Sequence, residues 1–179
     1  MVEEDVEREG QGVLQGKKVI VSSQSDADSL AQGGYGVKAE KTKLALTLPE
    51  ALHLVAEKRL KVLADDVEVE FPELLRKARS EDPEVWAKYI LYRDLRSRGY
   101  VVREGSIGEM GFRVYERGAY PKKAAKYVVF PIWERNPVAL SRLSEVLRSA
   151  EAAKKKLIIA VIDRHGEIVY YSLTQYNPY

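Results

Sequence analysis

The chain has 179 residues and a mass of 20.3 kDa, enough for one mid-sized domain or two small ones. Its residues are 45 % apolar and 31 % charged, so a core can be buried; no run reaches the roughly 20 apolar residues of a membrane helix, and the polar opening Met1 to Gly10 is unlike a secretion signal. The absence of Cys excludes disulfides, thiolate metal sites and thiol nucleophiles and fits a cytoplasmic protein, while the net charge of +2 hides an acidic front (12 Lys and Arg against 18 Asp and Glu in residues 1–85, −6) and a basic back (17 against 9 in residues 86–179, +8).

In the front half, Lys17 to Val21 is a β-branched run bounded by Gly16 and Ser22-Ser23, which predicts a strand. Asp26 to Gly34 is short and polar, closed by Gly33-Gly34. Lys43 to Leu48 alternates as a strand does. Thr47 to Glu50, with Pro49 near the first turn, starts a helix carrying Leu52, Val55, Ala56 and Leu60 at helical spacing. His53 lies in that helix and reads as a structural histidine, since no second candidate ligand is near it. Phe71 to Ser80 is the next helix. Asp82 and Pro83 then supply the cap and first position of another, with Trp86, Tyr89, Ile90 and Leu95 as its apolar stripe.

The back half is rich in strands: Tyr100 to Arg103, Phe112 to Tyr115, Lys126 to Ile132, Leu157 to Ile162 and Glu167 to Leu173. One helix, about Pro137 to Ala153, lies among them. Leu157 to Ile162 is apolar on both faces, as in a central buried strand. The reading is α+β. A small N-terminal mixed α/β domain (1–83) precedes a C-terminal domain (84–179) whose central mixed sheet is flanked by helices. The basic balance of the second domain suggests a polyanion partner, against the plainer reading of a solvated charged surface.

Two local patterns could carry chemistry. Strand alternation places Arg113, Tyr115 and Arg117 on one face, where two guanidinium groups would favour the phenolate form; an ordinary amphipathic strand tyrosine is the plainer reading. Lys154-Lys155-Lys156 follows a helix, where cations complement the helix dipole. If the helix continues that far, Arg148 and Lys155 share a face about 10 Å apart and could hold neighbouring phosphates or bases of RNA. The two imidazoles, His53 and His165, are far apart in the chain, so no histidine-rich metal centre is expected. Glu104, Glu109 and Glu116 do not form a convincing metal-binding carboxylate–lysine cluster.

Three ordered segments carry a resemblance: Lys88 to Val102 (KYILYRDLRSRGYVV), Gly111 to Ala119 (GFRVYERGA) and Lys154 to Asp163 (KKKLIIAVID). Together they resemble the archaeal tRNA-splicing endonucleases, and Leu46 to Leu52 is a looser match in the front half. The resemblance implies a metal-independent ribonuclease without cofactor. It would cut precursor tRNA at bulge–helix–bulge junctions by 2′-hydroxyl attack, leaving 2′,3′-cyclic phosphate and 5′-hydroxyl ends. Tyr115 matches the family's general-base tyrosine, Lys155 its charge-stabilising lysine (Lys156 if a one-residue gap shifts), and Arg148 an arginine that grips a bulged base. Arg113, Arg117, Lys154 and Lys156 are expected to add RNA contacts. The family's general-acid histidine falls on Ala124, or on Ala125 if the gap moves. His165, in a later turn, is no substitute.

The chain should therefore bind substrate and cut it poorly. Retention of Tyr115, Lys155 and Arg148 favours a His→Ala substitution in an otherwise catalytic subunit over a natural non-catalytic subunit; a plain RNA-binding module is the reading from another class. Two junctions need more than one nuclease unit, so the resemblance also implies a homo- or heterotetramer, with Ile168 to Leu173 packing against a second chain. Family members also dock through an acidic turn, which here is diluted by Arg164 and His165 between Asp163 and Glu167.

Overall fold

The structure, a computed structural model, describes residues 9–105 and 111–176, and these pack as two units that divide between Tyr89 and Ile90. Each is an α+β unit built on a mixed sheet.

In the first unit, β1 (Gly10–Gln15) forms a hairpin with β2 (Lys18–Val21), and α1 (Gln24–Gln32) follows. Ser23 caps that helix by accepting the Asp26 N–H, so the polar Asp26 to Gly34 stretch is mostly helix. Next come β3 (Val37–Lys38), β4 (Leu44–Thr47), α2 (Leu48–Ala56), β5 (Leu60–Ala64), β6 (Val67–Val69) and α3 (Phe71–Glu81). The sheet runs β3-β4-β2-β1-β5-β6, with β1 and β5 parallel. The start of α2 follows the sequence signal closely. Glu50 at the third helical position accepts the Thr47 N–H at 2.9 Å and also the Gly36 N–H at 3.0 Å, which occupies a carboxylate that is 2 % exposed. His53 is buried in α2 and stacks on Tyr35 with centroids 6.1 Å apart, a packing role.

Leu60 corrects the helical stripe expected of it. The helix ends at Ala56, and Lys58 turns left-handed (φ 55) with its N–H on the Val55 carbonyl, while the Arg59 N–H closes on Leu54. These two bonds form a Schellman turn, and Leu60 opens β5 instead.

The second unit contains the end of α4 (Val85–Ser97) and five strands: β7 (Val101–Glu104), β8 (Phe112–Tyr115), β9 (Tyr127–Trp133), β10 (Lys156–Ile162) and β11 (Ile168–Leu173). The order is β11-β10-β9-β8-β7. Only β9 and β10 run parallel, and α5 (Leu140–Ala152) makes the crossover between them. The central strand is therefore β9, with β10 beside it.

Register assigns each face of this sheet. Val128, Phe130, Leu157 and Ile159 share one face and pack on Val146 and Ala150 of α5. Phe112, Val114, Val129 and Ile158 share the other, where Tyr92 of α4 meets Phe112 at 6.1 Å. Tyr170 of the edge strand β11 is tied to α4 on this second face. Its hydroxyl donates to the Asp94 carboxylate at 2.5 Å, which also receives Arg98 Nε at 2.7 Å.

Partial burial raises the Asp94 pKa, but the Arg98 and Tyr170 hydrogen bonds outweigh it and hold the carboxyl below its ordinary value. Burial, and then Asp94, push the Tyr170 phenol up. A depressed carboxylate contributes stability above its unfolded pKa, near pH 4, which is lost as pH falls through the lower folded value. Asp94→Asn is expected to cost about 1–2 kcal/mol at pH 7 and to flatten the acid side of the stability profile. Thermal melts between pH 2 and 7 check both; an unchanged acid limb would show that the carboxylate contributes nothing there.

Candidate functional site

Tyr115 ends β8. Hydrogen bonds from Lys126 N–H to the Val114 carbonyl (3.1 Å) and from Lys156 N–H to the Lys126 carbonyl (3.0 Å) carry the sheet ladder across the start of β9 to β10. With Val114 opposite Tyr127 and Tyr127 opposite Lys156, residues 115, 126 and 155 form one row across three strands. Tyr115 and Lys155 occupy its two ends, on the face that α5 covers, with their Cα atoms two strand spacings, about 10 Å, apart. The Lys155 ammonium donates to the Ala125 carbonyl at 2.8 Å, which anchors it beside Ala124. Ala124 is exposed and Ala125 is buried, 6 % exposed. Tyr115 and Lys155 are thus brought to one end of one face, and the Lys155 ammonium is held by the residue that follows Ala124.

The expected helical face shared by Arg148 and Lys155 is overturned, because α5 stops at Ala152. Lys154 takes a left-handed turn (φ 54); its N–H bonds to the Glu151 carbonyl, and the Lys155 N–H bonds to Ala150. This second Schellman turn directs Lys155 into the sheet. Arg148 still lies in the last turns of α5, exposed, with Nε 3.4 Å from the Ser144 carbonyl. Lys154 and Lys156 are exposed on either side of Lys155.

A lysine carries a steric cost in the left-handed region that a glycine does not. Lys154→Gly and Lys58→Gly are each expected to stabilise by about 1 kcal/mol, raising the melting temperature by a few degrees. A fall in melting temperature for either would mean that the lysine side chain adds more than the turn costs.

Arg117 is also misplaced by strand alternation. β8 ends at Tyr115, the chain turns through residues 117–120, and the Arg117 guanidinium lies 5.4 Å from the Tyr100 ring. Arg113 does share a face with Tyr115, and its Nη2 reaches the Glu104 carbonyl at 3.4 Å. The expected pair of guanidinium groups flanking Tyr115 on the strand is therefore not formed. An aromatic neighbour missing from the sequence reading, Tyr120, takes its place beside the phenol: the two rings meet edge-on at 5.1 Å.

His165 sits beyond the far end of β10, seven strand residues or about 20 Å from Lys155. It is exposed, and its Nε2 accepts from Arg164 Nε at 3.2 Å. Of the acidic candidates, Glu104 is exposed, Glu116 pairs with Lys126, and Glu109 lies outside the described residues. Among the described residues no group of three His, Cys, Asp or Glu could hold a metal ion, and no helix is long and apolar enough to cross a membrane. A cavity of about 240 Å³ on the opposite face, lined by Leu95, Tyr100, Val129, Ile158 and Tyr170 among others, contains none of the row residues.

A family model described as the catalytic C-terminal domain of tRNA intron endonuclease matches residues 85–170, and one for the N-terminal domain matches residues 10–75. The chain belongs to the tRNA intron endonuclease family. It is 32 % identical over 169 residues to a tRNA-splicing endonuclease of Methanothermobacter thermautotrophicus, covering 94 % of this chain and 98 % of the relative. To the protein so named from Methanococcus vannielii it is 32 % identical over 167 residues, 89 % and 90 % of the two chains. The match to the Methanosarcina acetivorans tRNA-splicing endonuclease is also 32 % identical, over 166 residues, but it spans 92 % of this chain and 46 % of that relative. The chain thus spans less than half the length of some relatives and nearly all of others. Tyr115, Ala124 and Lys155 all lie within the segment matched to the family's catalytic domain.

Proposed function

We propose that the chain is a tRNA-splicing endonuclease subunit, with a scaffold domain over 1–83 and a nuclease domain over 84–179, that recognises bulge–helix–bulge junctions in precursor tRNA. The observation that carries this reading is the placing of Tyr115 and Lys155 at one end of one sheet face, with Lys155 Nζ tethered to the Ala125 carbonyl next to Ala124.

In this reaction Tyr115, acting in its deprotonated form, accepts the proton of the substrate 2′-hydroxyl and becomes a phenol as the 2′-oxygen bonds to phosphorus. The bond from phosphorus to the 5′-oxygen breaks, leaving a 2′,3′-cyclic phosphate, and the departing oxygen takes a proton to become a 5′-hydroxyl. An ammonium group has three N–H donors. Lys155 spends one on Ala125 and keeps two for the phosphate oxygens, whose charge grows in the transition state. Ala124 offers no proton, so the leaving oxygen draws it from water and the chain cuts slowly. Arg148 stacks on a bulged base, and Arg113, Arg117, Lys154 and Lys156 contact the RNA backbone.

Prolonged incubation with a precursor carrying two junctions, in chelator, tests the reading. Slow cutting at both junctions with cyclic phosphate ends is expected; ends bearing 3′-hydroxyl and 5′-phosphate would overturn it. Arg148→Ala should weaken bulged RNA about tenfold while leaving plain duplex binding nearly unchanged, as measured by titration. An equal loss on both would make Arg148 a general phosphate contact.

Two junctions call for an assembly of subunits. The edge strand β11 presents Val169 and Tyr171, 53 % and 56 % exposed, as an apolar strip suited to a second chain. Retention of Tyr115 and Lys155 in one row fits a His→Ala substitution in an active subunit. The mixed charge of the Asp163 to Glu167 turn weighs against simple self-tetramerisation, and the second reading is a natural non-catalytic subunit paired with an active one.

A further inference from the structure

Tyr120 has no part in the chemistry above, yet its ring meets that of Tyr115 at 5.1 Å with the planes 83° apart. Arg103 holds Tyr120 in two ways: Nη2 lies 2.5 Å from the Tyr120 hydroxyl, and the guanidinium carbon lies 5.1 Å from the ring centroid. Register explains why the three converge. Val101 pairs with Tyr115 and Arg103 with Arg113, so Arg103 stands on the Tyr115 face one strand away. Two guanidinium groups directly across a strand pair repel each other. The hydroxyl and ring of Tyr120 give Arg103 compensating contacts, and the turn after β8 returns Tyr120 to the sheet face that Tyr115 occupies.

A base must sit within hydrogen-bond reach of the proton it takes, and an error of about 1 Å can cost roughly 10²-fold in rate. Tyr115 is partly exposed at the end of its strand, where the backbone alone does not fix the ring. An edge-on aromatic contact restricts that ring without covering its hydroxyl. We propose that Tyr120 and Arg103 are positioning residues that hold the Tyr115 side chain in one rotamer. Their importance for cleavage rests on the reading of Tyr115 as the base; the rotamer itself does not.

The chain as it stands gives the first measurement: the Hα–Hβ couplings of Tyr115. A single rotamer is expected in the parent and rotamer averaging in Tyr120→Leu, with Arg103→Met also averaged and Arg103→Lys closer to the parent. Tyr120→Phe, which keeps the ring edge and loses the hydroxyl, should lie between, and it serves if the leucine variant does not fold. Unchanged couplings in folded Tyr120→Leu or Tyr120→Phe would overturn the proposal.

The second measurement uses the full chain with Ala124→His and a precursor RNA. Tyr120→Leu should lower the single-turnover rate about tenfold to a hundredfold and leave RNA affinity within about twofold. No loss of rate, or an equal loss of rate and affinity, would overturn the positioning role. Tyr115→Phe in the same background separates the two ideas: undiminished cutting there removes Tyr115 as base, whatever the couplings show. If the histidine restores no cutting, the couplings decide alone.

Discussion

Ala124→His is expected to raise single-turnover cleavage of a bulge–helix–bulge precursor by about 10²–10⁴-fold in the presence of chelator, the usual contribution of a general acid. The position suits it. Ala124 is exposed on the approach to β9, so an imidazole fits there, and the next carbonyl holds the Lys155 ammonium. Ala125 is the control, because at 6 % exposed it has no room for an imidazole. Ala125→His should therefore lower the melting temperature and restore nothing, which decides between the two alignments around the gap. The acid must be protonated and the base deprotonated to act, so the slope of the restored rate against pH should decrease through the ordinary histidine range near 6.5. A rate that stays at the parent level, with RNA affinity intact, would favour a natural non-catalytic subunit or a binding module.

Regular elements were legible where local signals and burial agree. The Thr47, Pro49 and Glu50 start of α2 is one such case, and the apolar strands β9 and β10 are others. The turns were legible only where glycine marks them. Gly34 and Gly99 carry the positive φ after α1 and α4, whereas Lys58 and Lys154 do the same work after α2 and α5. Nothing in a lysine signals a left-handed turn. That is why Leu60 read as helix and why Lys155 was placed beside Arg148 on a helical face. Asp65 and Asp66, both at positive φ, likewise hid the β5–β6 hairpin, which lacks the usual Asn-Gly or Asp-Gly mark.

The candidate site was only partly legible. Period-two alternation correctly put Arg113 with Tyr115, but it says nothing of where a strand stops, and Arg117 lies beyond that stop. Tyr120 was missed because its contact with Tyr115 depends on a loop folding back, which has no periodicity to read. Family resemblance supplied Tyr115, Ala124 and Lys155 as a set; the register of β8, β9 and β10 supplies the reason that such distant residues can meet.

Tyr115→Phe in the histidine-restored chain is expected to lower single-turnover cleavage by about 10²–10⁴-fold while RNA affinity changes by no more than about twofold. The substitution is a narrow one. Phenylalanine keeps the ring, and with it the edge-on contact with Tyr120, and removes only the oxygen that would accept the 2′-hydroxyl proton. Lys155→Ala should differ in kind. It removes the ammonium and its hold on Ala125, so the loss should appear in rate and in a lower melting temperature together. Lys155→Arg keeps the charge but not the compact ammonium geometry, and should recover stability more than rate. If Tyr115→Phe cuts as fast as its parent, the row at the start of β9 and β10 binds RNA without supplying its base, and the proton of the 2′-hydroxyl must leave by another route.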